Sequence, residues 1–268
     1  MPVASVNGIN LYYELHGSGD PLVLINGLGY DLWMWHKMVP GLAEHFQVIT
    51  FDNRGAGQSD KPAGPYSAQM LAADLAGLLE ALGIEQAVIM GHSMGGFVAQ
   101  ALALDRPELV RKLILSATNF GGPNHIPVTQ EAMVILMDTQ ADPVDRLRNG
   151  IAVSCAPGFA EANPEVIDAW VTYRNETPLD PQGYQAQLAI GLSLTATEAS
   201  FEPRLKNIHT PTLILFGEYD KVVPPGNAEL LAREISDSKT TILPGAGHFF
   251  PLEVPKAANE AIIRFLKT

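Results

Sequence analysis

The chain has 268 residues, of which 47% are hydrophobic and 17% charged, so it can bury a sizeable core, and α/β chains of this length often form one domain. Its formal net charge of −12 at pH 7 argues against nucleic acid and anionic membrane surfaces as partners, because both require a basic patch. The single cysteine, Cys155, excludes an internal disulfide. The chain has neither the basic and apolar regions of a signal peptide nor an apolar run that could span a membrane, so we expect a cytoplasmic protein.

The hydrophobic pattern predicts strands that alternate with helices through most of the chain. A hairpin across Asn7-Gly8 comes first, and further strands are expected near residues 21–26, 46–51, 86–91, 110–116, 211–216 and 239–244. Helices are expected near residues 34–44, 67–82, 94–105, 225–235 and 255–266. Such alternation is typical of parallel βαβ units.

The alternation stops at residue 119. From there to about residue 205 the sequence has helical patterns divided by prolines, and no convincing strand. We therefore predict an α/β core formed by residues 1–119 and 206–268, and a helical cap formed by residues 120–205. Hinges are expected at residues 121–123 and near Pro203.

A candidate nucleophile lies in the stretch Gly91-His92-Ser93-Met94-Gly95, which matches the pattern G-x-S-x-G. The stretch follows a predicted strand and precedes a predicted helix, which is the context in which this motif presents a serine for attack. Both glycines are needed, because a Cβ at either position would collide with the neighbouring strand or helix. The competing interpretation is a plain turn of small residues, since the pattern also occurs by chance.

Two partners for Ser93 follow predicted strands further along the chain. Asp220 ends the run after the strand near residues 211–216, and His248 ends the run after the strand near residues 239–244. The carboxyl ends of parallel strands share one edge of a sheet, so all three residues are expected there. Their order is Ser, Asp, His, as in the α/β-hydrolase triad. Glu218 is a weaker candidate for the acid, and Asp52 is better interpreted as structural.

Each predicted role follows from the chemistry of the side chain. His248 would take the proton of Ser93 and later give it to the leaving group, and Asp220 would orient the imidazole. The backbone N–H groups of Met94 and Leu28 are the predicted oxyanion-hole donors. The alternative for the loop at Leu28 is an ordinary glycine-rich turn. A dinucleotide site is excluded, because no G-x-G-x-x-G follows the first strand.

The chain resembles the α/β-hydrolase superfamily along essentially its whole length. Residues 51–59 look like its D-x-R-G-x-G-x-S loop, which braces the site there, and residues 247–253 look like its histidine loop. The resemblance implies a mostly parallel eight-stranded sheet flanked by helices, with a helical cap inserted after the sixth strand. One departure is Asn26-Gly27, where many members have His-Gly. An Asn at this point is similar to oxoadipate enol-lactonases and related small esterases, and it favours lactones.

These observations predict a serine hydrolase that cleaves a small or medium carboxylic ester or lactone through an acyl-enzyme. The triad chemistry requires no cofactor and no metal, and the remaining histidines lack the spacing of a zinc site. Two other interpretations stay open. The chain could be a small-molecule receptor that keeps the triad, or a perhydrolase or carbon–carbon bond hydrolase that uses the same residues. Ser93 argues against epoxide hydrolases and haloalkane dehalogenases, which resemble this fold but use an aspartate nucleophile.

Candidate substrate contacts are large or flexible side chains in the cap or beside the catalytic positions, together with one glycine of the oxyanion loop. For those in the cap, packing against the core is the competing interpretation. The candidates are Gly27, Trp33, Phe120, Met137 and Phe249.

Overall fold

One sheet of eight strands organises the protein, whose computed structural model describes residues 2–136 and 142–268. The strands are β1 (Val3–Val6), β2 (Ile9–His16), β3 (Pro21–Ile25), β4 (Gln47–Phe51), β5 (Ala87–His92), β6 (Val110–Ser116), β7 (Thr212–Gly217) and β8 (Ser238–Leu243). Their spatial order is β1-β2-β4-β3-β5-β6-β7-β8. Strand β2 is antiparallel to β1 and β4, and all other pairs are parallel. The predicted mostly parallel eight-stranded sheet is confirmed.

Helices cover both faces of this sheet. In chain order they are α1 (Val39–Ala43), α2 (Ala68–Ala81), α3 (Met94–Asp105), α4 (Gln130–Leu136), α5 (Pro143–Ser154), α6 (Phe159–Ala162), α7 (Pro164–Glu176), α8 (Pro181–Ser193), α9 (Gly226–Glu234), α10 (Phe250–Glu253) and α11 (Pro255–Leu266). Helices α2, α3 and α9 contribute to the apolar core on one face, and α1 and α11 contribute to the core on the other. Strands β5 and β7 are buried at every position, as expected for parallel strands covered on both faces.

The predicted helix at residues 34–44 is wrong in one respect, because it is divided into two. A 3-10 helix spans Leu32–Trp35, and α1 begins only at Val39. Pro40 explains the break. Proline lacks the backbone N–H and clashes with the preceding turn, so it is tolerated only in the first turn of a helix.

Between β6 and β7 the described residues form helices α4 to α8 and a 3-10 helix at Glu202–Asn207, with no strand among them. We call the segment between β6 and β7 the insert. Its two ends are joined by backbone hydrogen bonds, from Gly122 N to Leu194 O (2.6 Å) and from Phe201 N to Phe120 O (2.9 Å). The division into a core and a cap at residues 120 and 205 stays a prediction. Within the described ranges, no helix combines the length and the apolar character needed to cross a membrane.

Candidate active site

Ser93 occupies a strained turn between β5 and α3. Its backbone has φ 55° and ψ −120°, a conformation that side-chain-bearing residues rarely adopt. The two motif glycines make the turn possible. A Cβ at Gly91 would collide with the carbonyl oxygen of Gly95, and a Cβ at Gly95 would lie 2.5 Å from the carbonyl oxygen of Ile25. Strand, turn and helix are therefore packed so closely that only glycine fits on either side of the serine.

Asp220 and His248 form a buried hydrogen-bonded pair. His248 Nδ1 lies 2.8 Å from Asp220 Oδ2, and both side chains are almost fully buried. The other carboxylate oxygen, Oδ1, accepts from the backbone N–H groups of Val222 (2.9 Å) and Val223 (2.8 Å). Because Asp220 accepts, the Nδ1 of a neutral His248 carries the proton, and its Nε2 is left with a free lone pair. That nitrogen is the atom that a serine hydroxyl requires as a base.

The structure brings Ser93 and this pair to one edge of the sheet without a direct hydrogen bond between them. Among the described residues, Ser93 Oγ makes no hydrogen bond with His248. His92, the residue before the serine, links the two regions, because its ring lies 4.9 Å from the ring of His248 between centroids. His92 Nδ1 lies 2.9 Å from Ser116 Oγ, and burial holds the pKa of His92 well below its usual value. Hydrogen bonds between nucleophile and base are often long in the absence of substrate.

Two backbone donors are free beside Ser93. Within the described chain, neither the N–H of Leu28 nor that of Met94 donates a hydrogen bond to a protein acceptor. Met94 is the first residue of α3, so its N–H has no partner inside the helix. Gly27 brings the first loop close, since a Cβ there would lie 3.2 Å from the Cβ of Ser93. The two donors thus belong to loops that meet at the serine.

A small cavity opens at this point. It has a volume of about 160 Å³ and contains Ser93 together with residues of the core and of the insert. Its lining residues are Leu28, Ser93, Met94, Phe97, Thr118, Asn119, Gln187, Leu188, Gly191 and Val223. Helix α8 of the insert supplies three of them, so this helix forms one wall of the cavity.

Gln187 fastens α8 to two core loops. Its Oε1 accepts from the backbone N–H of Gly29 (2.9 Å), and its Nε2 donates to the carbonyl oxygen of Arg54 (2.8 Å). The side chain is fully buried. The backbones approach closely as well, because a Cβ at Gly183 would collide with the carbonyl oxygen of Gly55. The wall formed by α8 is therefore fixed to the loop that carries Leu28.

Most of the predicted substrate contacts lie elsewhere. Trp33 stacks on Tyr173 of α7 with ring centroids 4.6 Å apart, and Phe249 packs edge-to-face on Trp170 at 4.6 Å. Phe120 is buried in the apolar core. These three do not line the 160 Å³ cavity, whereas Gly27 adjoins Ser93. Met137 lies outside the described residues. Their roles in binding substrate stay predictions.

Asp52 begins the loop at residues 52–59 and shapes its turn. It accepts from the backbone N–H groups of Leu32 (2.8 Å) and Gln58 (2.7 Å). Burial raises the pKa of Asp52 to about 6. Two residues on, Arg54 pairs with the buried carboxylate of Asp74, at 2.5 and 2.6 Å. These contacts brace the loop beneath the site.

Glu253 joins the histidine loop to the insert. Its carboxylate accepts from the backbone N–H groups of Gly247 (3.1 Å) and Ala156 (2.7 Å). In addition, His248 N donates to the carbonyl oxygen of Ser154 (2.6 Å). Burial raises the pKa of Glu253 to about 7. The backbone of His248 is thus held by the insert as well as by the core.

Other places offer less chemistry. A larger surface cavity of about 460 Å³ lies behind the histidine loop, and Glu253 lines it, but none of the predicted catalytic residues does. In the part of the chain that the structure describes, no three His, Cys, Asp or Glu side chains are grouped so that they could hold a metal ion. The small cavity beside Ser93 is therefore the candidate active site.

Sequence reasoning missed three polar residues of this cavity: Thr118, Asn119 and Gln187. Thr118 and Asn119 follow β6, and their place after a strand was a signal that could have identified them. Gln187 gave no such signal. A single glutamine in a helical pattern does not reveal that both ends of its side chain meet loops far away in the sequence.

Comparison with known proteins identifies the family of the chain. A candidate carbamate hydrolase, RutD, of Azorhizobium caulinodans is 30% identical over 99% of this chain and 98% of its own length. The crystal structure of the enol-lactonase from Burkholderia xenovorans LB400 is 28% identical and superposes with a TM-score of 0.83 over 100% of both chains. A thermophilic esterase from Thermogutta terrifontis is 30% identical, with a TM-score of 0.82 over 99% of this chain and 97% of its own. The sequence model of the alpha/beta hydrolase fold matches residues 20–255, and the chain belongs to that family.

Proposed function

We propose that this protein is a serine hydrolase that cleaves small carboxylic esters or lactones through an acyl-enzyme. The observation that carries the proposal is the buried hydrogen bond between His248 Nδ1 and Asp220 Oδ2 at 2.8 Å, at the sheet edge that also presents Ser93. This pair leaves His248 Nε2 as an acceptor. A histidine in this state is the base that a serine hydroxyl needs at neutral pH.

In the first half of the reaction Ser93 Oγ attacks the carbonyl carbon of the substrate. His248 takes the hydroxyl proton through Nε2, and Asp220 stabilises the imidazolium that forms. The developing oxyanion is stabilised by the free N–H groups of Leu28 and Met94. Collapse of the tetrahedral intermediate expels the alcohol, which takes the proton from His248, and leaves an acyl group on Ser93.

In the second half a water molecule replaces the alcohol. His248 removes a proton from the water as the water attacks the acyl carbon, and the same two N–H groups hold the oxyanion again. The intermediate collapses, Ser93 recovers its proton from His248, and the carboxylic acid leaves. For a lactone the alcohol and the acid are parts of one product.

Small substrates are proposed because the cavity is small. Its volume of about 160 Å³ is below the 300 to 1,000 Å³ that is usual for pockets that hold drug-sized ligands. Helix α8 closes one side, which supports a cap role for residues 120–205. The names of the related proteins, an enol-lactonase and an esterase, support lactones and esters as the substrate classes.

Steady-state hydrolysis of p-nitrophenyl acetate tests the proposal, with Ser93→Ala as the matched inactive variant. Loss of the nucleophile should lower kcat on the order of 10⁶-fold, because only oxyanion and binding effects remain. The melting curve should keep its shape. A receptor that keeps the triad would stall after about one turnover, since its acyl-enzyme would not be cleaved. Activity of Ser93→Ala within about tenfold of the wild type would overturn the assignment of the nucleophile.

A chain-length series tests the size of the substrate. The p-nitrophenyl esters of acetate, butanoate, octanoate and hexadecanoate should show falling kcat/KM beyond medium chains, because the cavity is small and α8 closes one side of it. Small lactones should be cleaved as well. A preference for long chains, with a rate jump above the solubility limit of the ester, would indicate a lipase and contradict this account of the insert.

A further inference from the structure

Asn119 stands beside the proposed nucleophile. It follows β6 at the carboxyl edge of the sheet and lines the same 160 Å³ cavity as Ser93. Its neighbour Thr118 contacts the serine directly, because Thr118 Oγ1 donates to the carbonyl oxygen of Ser93 at 2.8 Å. The end of β6 is thus fixed against the nucleophile turn.

Two hydrogen bonds hold Asn119 in place. Its backbone oxygen accepts from Nε2 of the buried Gln100 at 2.8 Å, and its side-chain Oδ1 accepts from the backbone N–H of Gly121 at 2.8 Å. A backbone N–H can only donate, so the carboxamide must turn its oxygen to Gly121. The orientation of the amide is therefore determined, and its Nδ2 is available as a hydrogen-bond donor.

This Nδ2 donates to no acceptor among the described residues. The other polar side chains of the cavity wall are already used, because Gln187 bonds through both ends and Thr118 bonds to Ser93. The other described residues of the wall are apolar, apart from the serine and a glycine. A fixed polar group in an apolar wall is the usual source of orientation and specificity in a ligand site.

We infer that Asn119 Nδ2 selects esters or lactones that carry a second, neutral carbonyl oxygen near the scissile group. The inference rests on the proposed function and names its substrate class. A neutral acceptor is favoured over a carboxylate, because no Lys or Arg is among the described residues that line the cavity, and the chain has a net charge of −12. A substrate without this oxygen covers the donor without pairing it, which lowers its relative rate.

Two pairs of esters test the inference, one for each side of the scissile bond. The first compares p-nitrophenyl 4-oxopentanoate with p-nitrophenyl pentanoate, and the second compares 4-oxopentyl butanoate with pentyl butanoate. Each keto-to-alkyl ratio of kcat/KM is divided by the same ratio for hydroxide hydrolysis, which removes intrinsic reactivity. We expect a corrected ratio of about ten in at least one pair, as one net hydrogen bond would give.

Variants at Asn119 test whether its carboxamide causes that corrected ratio. Asn119→Asp keeps an oxygen for the N–H of Gly121 but removes the donor, and Asn119→Leu removes both, so the ratio should fall to about one in each. Gln185→Glu adds the same charge on the exposed face of α8 and should keep the wild-type ratio. A wild-type ratio near one, or a preference kept in both Asn119 variants, would overturn the inference. Lack of turnover on all four esters would instead overturn the proposed function.

Discussion

At the scale of single residues, Asp220 is held by two backbone donors on one oxygen and by His248 on the other. Glu218, only two residues earlier, is exposed and accepts from the backbone N–H of Gly245 at 2.9 Å. The turn after β7 thus separates two acids that the sequence alone left as rivals. Of the two acids, Asp220 is the one that is hydrogen-bonded to His248.

Replacement of these two acids should therefore have very different effects. Asp220→Asn would present an amide to His248 Nδ1 and favour the wrong tautomer, so kcat should fall by about 10⁴. Glu218→Gln should lower kcat by less than about threefold, because it changes only an exposed contact to a turn. Both are measured on p-nitrophenyl acetate, with circular dichroism as the control for folding. A severe loss of kcat in Glu218→Gln alone would show that Asp220 is the wrong assignment for the acid.

The sequence predicted the positions of Ser93, Asp220 and His248 because each follows a predicted strand. The strands before Ser93 and Asp220 are buried at every position, whereas β8, before His248, is exposed or half-buried except at Leu243. The sequence could not predict Gln187 or Glu253 in the same way. Their partners are backbone groups of Gly29, Arg54, Gly247 and Ala156, which local periodicity does not place near them. Contacts between a side chain and distant backbone leave no pattern in the chain.

At the scale of elements, α8 has two functions in the proposed enzyme. It closes the cavity, and through Gln187 it holds the N–H of Gly29, the residue after Leu28. Motion of α8 away from the core would therefore release the loop that supplies one of the two proposed oxyanion donors. We therefore expect closure of the cavity and order of the loop at Leu28 to be coupled.

Gln187→Met should expose this coupling. Loss of both hydrogen bonds leaves two buried backbone groups unpaired, at a cost of about 1 to 3 kcal/mol each in the free energy of unfolding. The affinity for a trifluoromethyl ketone, whose adduct places an oxyanion at the donors, should fall further than KM rises. Gln185→Met, on the exposed face of the same helix, is the matched control. A rise in KM equal to the fall in inhibitor affinity would show that Gln187 has only a general packing role.

At the scale of the whole molecule, the fold was predictable where strands and helices alternate along the chain. The strands were predicted to within about two residues, which is the usual spread of element boundaries. The helix at 34–44 was wrong because Pro40 divides it. The cavity wall was beyond prediction, since it depends on how α8 packs over loops that the sheet has already positioned.

Two carboxyl groups, those of Glu253 and Asp52, should lower the stability of the fold as the pH rises from 5 to 7.5. Burial raises the pKa of Glu253 to about 7 and that of Asp52 to about 6, above the values of the unfolded chain. Across this range these two groups bind more protons in the folded state than in the unfolded state, so their contribution to the free energy of unfolding decreases as pH rises. His92, whose pKa is lowered by burial, contributes in the opposite direction. Denaturant titrations of the wild type at both pH values measure the difference.

Glu253→Gln should make that difference smaller, because an amide does not titrate. Glu260→Gln, on the exposed side of α11, is the matched control and should keep the wild-type difference. Asp220 and His248, the two ionisable groups that act on the pKa of Glu253, remain in both variants. An unchanged or larger pH difference in Glu253→Gln would show that other groups determine the pH dependence.

The backbone of Ser93 has a consequence for attempts to engineer this protein. Its positive φ suits glycine better than serine or alanine. The free energy of unfolding of Ser93→Gly should therefore exceed that of Ser93→Ala by about 1 kcal/mol, and Ser93→Gly should melt at a higher temperature. Equal melting temperatures in the two variants would mean that the turn carries no strain. Selection for heat resistance alone would therefore enrich inactive variants in which Ser93 is replaced. A screen for heat-resistant variants has to measure turnover in the same round.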